Sequence, residues 1–272
     1  MATRVSAGRV SAYFIAIVVA VIFLAPLVVA TLTAFKSPRE ITQVLSFPTQ
    51  LYLDNFVVAA NQMGRSFLNS LAITIPAVIF SVVLGAIGGY PLAYMRGGSS
   101  RWIYFFLLTG MLVPFQIVQI PLFIFIRTIG LYDTIPGMWL THTAYSVPFC
   151  TFFMRNFFAS VPRSMYEAAL IEGCGPFGYF WRLLLPASTS GLSALAIIQS
   201  RYIWNDLLFG ITLTNGDEAQ PATVAIAGFV SGVQVQYGPL MAATLVSVVP
   251  VMAAYLIFQK SFVRGLLGGA GK

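Results

Sequence analysis

Residues 13–32 read YFIAIVVAVIFLAPLVVATL, with no charged side chain between Tyr13 and Leu32. A helix rising about 1.5 Å per residue needs about 20 such positions to cross the roughly 30 Å hydrocarbon core of a bilayer. Comparable apolar runs recur along the whole chain of 272 residues, which is 58% hydrophobic and 8% charged. An ordinary soluble domain carries about 25% charged residues, so this composition excludes a normal water-facing surface. Inside a bilayer no water satisfies the backbone, and each run must close its own hydrogen bonds as a helix. The fold class that follows is all-α, a polytopic membrane protein.

The first run follows Arg4 and Arg9, as the core of a signal peptide would. Its uncharged stretch is too long for that role and no clear small-x-small cleavage site precedes Lys36, so a retained anchor is expected. The hydrophobic pattern predicts six spans, at 12–34, 67–95, 102–126, 137–159, 184–210 and 239–259. A polar loop near 35–66, short joins at 96–101 and 127–136, and loops at 160–183 and 211–238 connect them. None of these is large enough to fold alone, and residues 1–272 read as a single transmembrane domain.

Basic residues set the orientation. With the N-terminus inside, Arg4, Arg9, Arg96, Arg101, Arg155, Arg163, Arg182, Lys260, Arg264 and Lys272 lie on inner segments, ten of the fifteen present. Lys36, Arg39, Arg65, Arg127 and Arg201 lie outside. The positive-inside rule therefore favours an N-in, C-in topology. The net charge of +7 is accounted for by topology and gives no reason to expect nucleic acid. Cys150 and Cys174 make neither a disulfide framework nor a metal spacing. His142, at the edge of a run and without cysteine or acidic partners at ligand spacing, reads as a satisfied interfacial histidine. No metal or cofactor is expected.

The loop before the fifth span is the largest of the inner loops. Residues 166–186 read YEAALIEGCGPFGYFWRLLLP. Ser160 can cap a helix start, Pro162 suits its first turn, and Gly173 supplies a stop, which predicts a helix over Arg163–Glu172. Cys174, Gly175 and Pro176 form a break, and a second short helix runs from Phe177 through Arg182 to Pro186. A helix of about ten residues is marginal alone in water. On one face Met165, Ala168, Ala169 and Glu172 follow helical spacing, and the paired alanines permit close backbone approach. Two readings fit this pattern: an interfacial connector, or a helix that seats in a partner's groove.

Spacing separates them. Glu167, Ala168, Ala169, three residues, Gly173, nine residues, then Leu183, Leu185 and Pro186 resembles the EAA loop of membrane subunits of binding-protein-dependent ABC importers, with leucine in place of isoleucine. Leu68–Leu71 (LNSL), Ile120–Leu122 with Gly130–Thr134 (IPL and GLYDT), Trp204–Asp206 (WND) and the glycine-rich tail from Val263 to Lys272 are similar to further segments of that family's carbohydrate-uptake branch, the maltose type. Two positions depart from the pattern: Glu172 stands where aspartate is usual and Cys174 where alanine is usual.

The resemblance implies a type I ABC importer transmembrane domain of six helices in a bacterial or archaeal plasma membrane. It implies three partners: a second permease subunit, an ATP-binding cassette ATPase dimer and an extracytoplasmic solute-binding protein. Met165, Glu167, Ala168, Ala169, Leu170 and Gly173 would then form the coupling element, with Glu167 the polar anchor to the ATPase and Gly173 permitting the turn. A sugar or sugar-like solute would cross by alternating access.

Arg201 is the costliest residue to place in lipid, at roughly 2.5–3.5 kcal/mol near a helix centre. It either borders the solute path, pairs with a group such as Asp206, or snorkels. Gln116 and Gln119 share a helix face between Pro114 and Pro121, prolines that mark an interrupted helix; their amides suit either sugar hydroxyls or interhelical hydrogen bonds. Asn69 and Asn205 carry the same two readings, and Trp204 beside Asn205 and Asp206 completes the candidate pathway set. Trp204, Trp139 and Trp102 fall near span ends, as interface anchors do, and Gly85, Gly88 and Gly89 favour close helix packing. GGAGK near the C-terminus is not a phosphate loop, since position 266 holds leucine where glycine is required. ATP hydrolysis is therefore expected on a separate chain. An ion-coupled secondary carrier is the alternative, but no carboxylate lies convincingly mid-span; nor does a catalytic constellation mark a membrane enzyme.

Overall fold

A computed structural model describes residues 7–94, 97–230 and 235–270. Arg4, Arg96 and Lys272, used above for orientation, lie outside them, as does Gly271 of the glycine-rich tail. Among the described residues all regular structure is helical: α1 (Ala7–Ala34), α2 (Asp54–Tyr94), α3 (Gly98–Leu112), α4 (Phe115–Thr128), α5 (Ile135–Ser160), α6 (Arg163–Ile171), α7 (Pro176–Tyr179), a π-helical turn (Phe180–Leu184), α8 (Leu185–Ala187), α9 (Thr189–Trp204), α10 (Leu208–Leu213), α11 (Ala222–Gly228) and α12 (Tyr237–Ala270). Segments Ser11–Ala34, Asp54–Tyr94 and Tyr237–Ile257 are long and apolar enough to cross a membrane. The pairs α3 with α4 and α7–α8 with α9 reach that measure only as bent spans.

The contacts divide the chain into two units. One comprises residues 1–64 and 225–248. Its loop after α1 is tied down by polar contacts: Asn55 Nδ2 donates to the carbonyls of Ala34 (2.9 Å) and Lys36 (2.8 Å). The ammonium of Lys36, fully buried, donates to the carbonyls of Gln43 and Val44. Phe35 packs on Phe56 with ring centroids 4.9 Å apart. Gly238 lies so near Asn55 that a Cβ there would fall 2.5 Å from its Oδ1. The polar loop expected to reach residue 66 is shorter than that, since helix begins again at Asp54. Asn61, Gln62 and Arg65 look like loop by polarity, but their neighbours Ala59, Met63 and Ser66 are buried at helical spacing.

The other unit comprises residues 65–224 and 249–272. Its core gathers Ile73, Ala77, Met154, Phe158, Tyr179, Phe180, Leu184, Leu195 and Phe209. Gly85, Gly88 and Gly89 do lie at close helix packing: a Cβ on Gly89 would come within 2.7 Å of Arg155 N, and one on Gly88 within 3.2 Å of Thr151 Oγ1. Side-chain volume at these positions would drive α2 off α5.

Two expected spans are not continuous. The third bends by 95° between α3 and α4. Proline disfavours the helical region for the residue before it, and Val113, ahead of Pro114, is extended (φ −72°, ψ 116°). Pro121, by contrast, is carried inside α4. The fifth span bends by 72° at Ser188 and ends at Trp204. Expected helix at 205–207 is open chain, with α10 starting only at Leu208.

Candidate functional site

The EAA segment is built from its stops. Val161, extended before Pro162, ends α5 at Ser160. Ser160 does not cap the next helix; it is the last residue of α5 and its hydroxyl donates to the carbonyl of Phe157 (2.6 Å). Helix α6 starts after Pro162 with no side-chain cap. It ends as a Schellman motif: Gly173 sits in the left-handed region (φ +77°), its N–H donates to Leu170 O (3.0 Å), and Cys174 N–H donates to Ala169 O (2.9 Å). The π turn has a cause in Pro186. A proline ring collides with the carbonyl four residues back, here Arg182, and the ladder widens just ahead of it: Leu185 N–H reaches Phe180 O, five residues back.

The faces of α6 differ from the spacing argument. Ala169 is buried, and Met165 and Tyr166 pack on the core of this unit. Glu167, Ala168 and Glu172 are exposed, Leu170 is 44% exposed and Ile171 85%. Met165 and Ala169 therefore hold the helix, while Arg163, Glu167 and Ile171 point away; Arg163 Nε lies 3.7 Å from Glu167 Oε1. Behind α6 stands a cluster of tyrosines. Tyr166 meets Tyr179 edge to face at 4.9 Å, the hydroxyls of Tyr94 and Tyr179 lie 3.1 Å apart, and Tyr90 OH donates to Pro176 O (2.8 Å). Sequence reasoning missed these residues. Their spacing on α2, four apart, was the available signal.

The candidate pathway residues separate into two groups. Asn69, Asn205 and Asp206 are engaged in backbone support. Asn69 Nδ2 donates to the carbonyls of Asp217 (2.8 Å) and Gln220 (3.1 Å), and neighbouring Ser70 Oγ accepts from Ala222 N (2.8 Å). Asn205 Nδ2 donates to Arg201 O (2.7 Å). Asp206 Oδ2 accepts from the N–H groups of Phe209 (3.1 Å) and Gly210 (3.3 Å), capping α10. Asp133 of the GLYDT segment joins the same region, accepting from Asn215 N (2.9 Å). The LNSL, GLYDT and WND segments thus converge on one stretch, 205–222, made of α10 and the turns on either side of it.

The carboxylate of Asp206 faces His142 (3.8 Å), and no ion pair between Asp206 and Arg201 occurs among the described residues. His142 is not the satisfied histidine expected: it is 1% exposed, edge-on to Phe209, with no hydrogen-bond partner at Nδ1. Trp204 is also buried, edge-to-face with Phe67, so membrane-interface anchoring does not describe it. Gln116 is exposed on α4, and the amide nitrogen of Gln119 is buried without a hydrogen bond. Arg201 is exposed beside a cavity formed by α3, α5 and α9. No cluster of metal-ligating side chains occurs among the described residues. Outside the spans, Glu40 is held down at about 2 from an ordinary 4.5 by hydrogen bonds from the Thr49 and Ser37 side chains and their N–H groups.

Residues 81–268 match the family described as binding-protein-dependent transport system inner membrane component. The chain is 35% identical to the diacetylchitobiose uptake system permease protein of Streptomyces coelicolor over 88% of this chain and 81% of that one. It is 30% identical to the xylose/arabinose import permease protein of Haloferax volcanii over 96% and 93%. Among solved structures, a bacterial ABC transporter involved in alginate import superposes with a TM-score of 0.82 at 21% identity, covering 96% of this chain and all of that one. Its likeness is one of fold, the type I importer membrane domain. Built around an EAA segment and matched across most of its length, the chain belongs to the family of inner-membrane permease components of binding-protein-dependent ABC transport systems.

Proposed function

We propose that this chain is one of two permease subunits in an ATP-driven importer of a sugar or sugar-like solute. It spans the plasma membrane of a bacterium or archaeon six times with both termini inside. An external binding protein delivers the solute, which crosses by alternating access, and ATP is hydrolysed on a separate subunit. The observation that carries this is α6: a short helix fixed on one side by Met165, Tyr166 and Ala169 and bare on the other at Glu167, Ala168 and Leu170. Its bare side is a short helix face of the kind that a partner's groove receives. The uptake substrates named for the relatives, diacetylchitobiose and xylose or arabinose, support a carbohydrate as cargo.

Glu167→Ala and Gly173→Asp should leave the chain inserted while reducing co-purification of the ATPase and abolishing uptake. Survival of both activities would remove α6 from the coupling role. Uptake by vesicles holding this chain alone would instead support an ion-coupled carrier.

A further inference from the structure

Arg101, in the first turn of α3, and Arg155, near the end of α5, form a basic pair that the transport reading does not use. Two contacts show that these helices run antiparallel. The Tyr145 hydroxyl donates to Val113 O (3.2 Å) at one level, and Tyr104 stacks on Phe152 at another, with ring centroids 6.1 Å apart. The Arg155 guanidinium lies over the Tyr104 ring, 4.7 Å from its centroid. Residues three apart share a helix face. Arg101 therefore sits on the Tyr104 face of α3 and Arg155 on the Phe152 face of α5. Each lies about one turn beyond the stacked rings, toward the end of α5 from which α6 departs.

Among the described residues neither cation meets a carboxylate: the ion pairs are His142 with Asp206 and Arg163 with Glu167. Arg155 Nη1 donates to Asn156 Oδ1 (2.9 Å), which leaves the exposed Asn156 its Nδ2 as a further donor. A guanidinium does not lose its proton, so two positive charges stand on one corner and an anion between them relieves their repulsion. The depth says which anion. Arg155 is five residues, about 7.5 Å, from the end of α5, and the headgroup layer is about 5–7 Å thick on each side of the hydrocarbon. Alongside, α3 is bare: none of its residues is buried, and Trp102 and Phe106 are 71% and 78% exposed. A free phosphate would leave that apolar face uncovered, whereas a phospholipid carries acyl chains to lie on it.

We propose that the α3–α5 corner binds one anionic phospholipid, in the leaflet on the α6 side, which is the inner one in the orientation proposed above. Arg101 and Arg155 hold the phosphodiester, whose oxygens match the guanidinium fork. The ring of Tyr104 keeps Arg155 aimed, Asn156 donates to a further lipid oxygen, and the acyl chains run along Trp102, Phe105 and Phe106. Basic pockets between membrane helices take such headgroups. With no carboxylate at the corner to receive a choline or ethanolamine cation, the site selects lipids of net negative charge.

The full-length chain, delipidated in an uncharged detergent, is titrated with dioleoyl phosphatidylglycerol, dioleoyl phosphatidylcholine and inorganic phosphate, and occupancy is read by native mass spectrometry. One phosphatidylglycerol should bind about tenfold or more tighter than phosphatidylcholine, and phosphate in excess should not displace it. Arg101→Gln and Arg155→Gln should each lower its affinity about fivefold, the effect of about 1 kcal/mol per basic group at a lipid surface. Arg127→Gln, which removes an exposed charge at the end of α4, should leave it unchanged. Arg101 is exposed, so its variant decides the matter should Arg155→Gln misfold. Equal binding of the two lipids, displacement by phosphate, unchanged affinity in Arg101→Gln, or an equal loss in Arg127→Gln overturns the site. Expulsion of the lipid when a second permease subunit is added also overturns it, since the corner is then an interface between subunits. Lack of uptake by the wild-type assembly removes the importer reading and leaves the lipid site standing.

Discussion

Replacing Gly173 by alanine isolates the backbone from every other effect in the EAA segment. A Cβ added there meets no heavy atom within 4 Å, so no clash is created. What changes is conformation: at φ +77° an alanine costs about 1–2 kcal/mol relative to glycine. One or two kcal/mol shift a two-state equilibrium by a factor of about 5 to 30. That factor falls on the two hydrogen bonds that close α6, from Gly173 N–H to Leu170 O and from Cys174 N–H to Ala169 O. Amide exchange at positions 173 and 174 should therefore accelerate by about 5- to 30-fold in Gly173→Ala. Asparagine tolerates the left-handed region better than alanine, so Gly173→Asn should accelerate exchange less. Exchange unchanged in the alanine variant, or faster in the asparagine variant than in the alanine one, would refute the view that a left-handed stop holds this helix.

Two further outcomes follow from polar contacts elsewhere. Asn69→Ala removes the donor shared by the carbonyls of Asp217 and Gln220; at about 0.5–1.5 kcal/mol for each part-buried hydrogen bond, it should lower the thermal midpoint and open the 214–222 segment to protease. Glu40 titrates in its loop well below its ordinary range. A depressed folded pKa stabilises above the unfolded value, so protection of residues 37–49 from exchange should be full above pH 4.5 and fall away toward about pH 2. Glu40→Gln should abolish that dependence.

The membrane architecture was legible because lipid imposes a simple rule on composition, and the apolar runs found nearly all of the long helices. Breaks were less legible. Pro114 and Pro121 look alike in sequence, yet only the first divides its span. A helix can absorb a proline where its neighbours permit, and α4 absorbs Pro121. Polarity misplaced the start of α2, since residues 54–66 expose Asn61, Gln62 and Arg65 while Asn55, Ala59, Met63 and Ser66 are buried. At α6, alanines at helical spacing indicated one face, whereas Tyr166 decides which face turns inward by reaching Tyr179. The WND segment held charged and amide groups of the sort that contact solutes, and their hydrogen bonds go to backbone instead. Type alone does not distinguish a ligand from a strut; the location of the chain's own unpaired N–H and C=O groups does.

The tyrosines behind α6 fix its position on α2. Two hydroxyl bonds tie the α6–α7 corner to α2, Tyr90 to Pro176 O and Tyr94 to Tyr179. A net hydrogen bond is worth about 0.5–1.5 kcal/mol, so these two bonds add about 1–3 kcal/mol to the burial of Ala169, Tyr179 and Phe180. Apolar burial supplies the bulk of the hold, and the two phenols, with one defined acceptor or partner each, decide where on α2 the corner comes to rest.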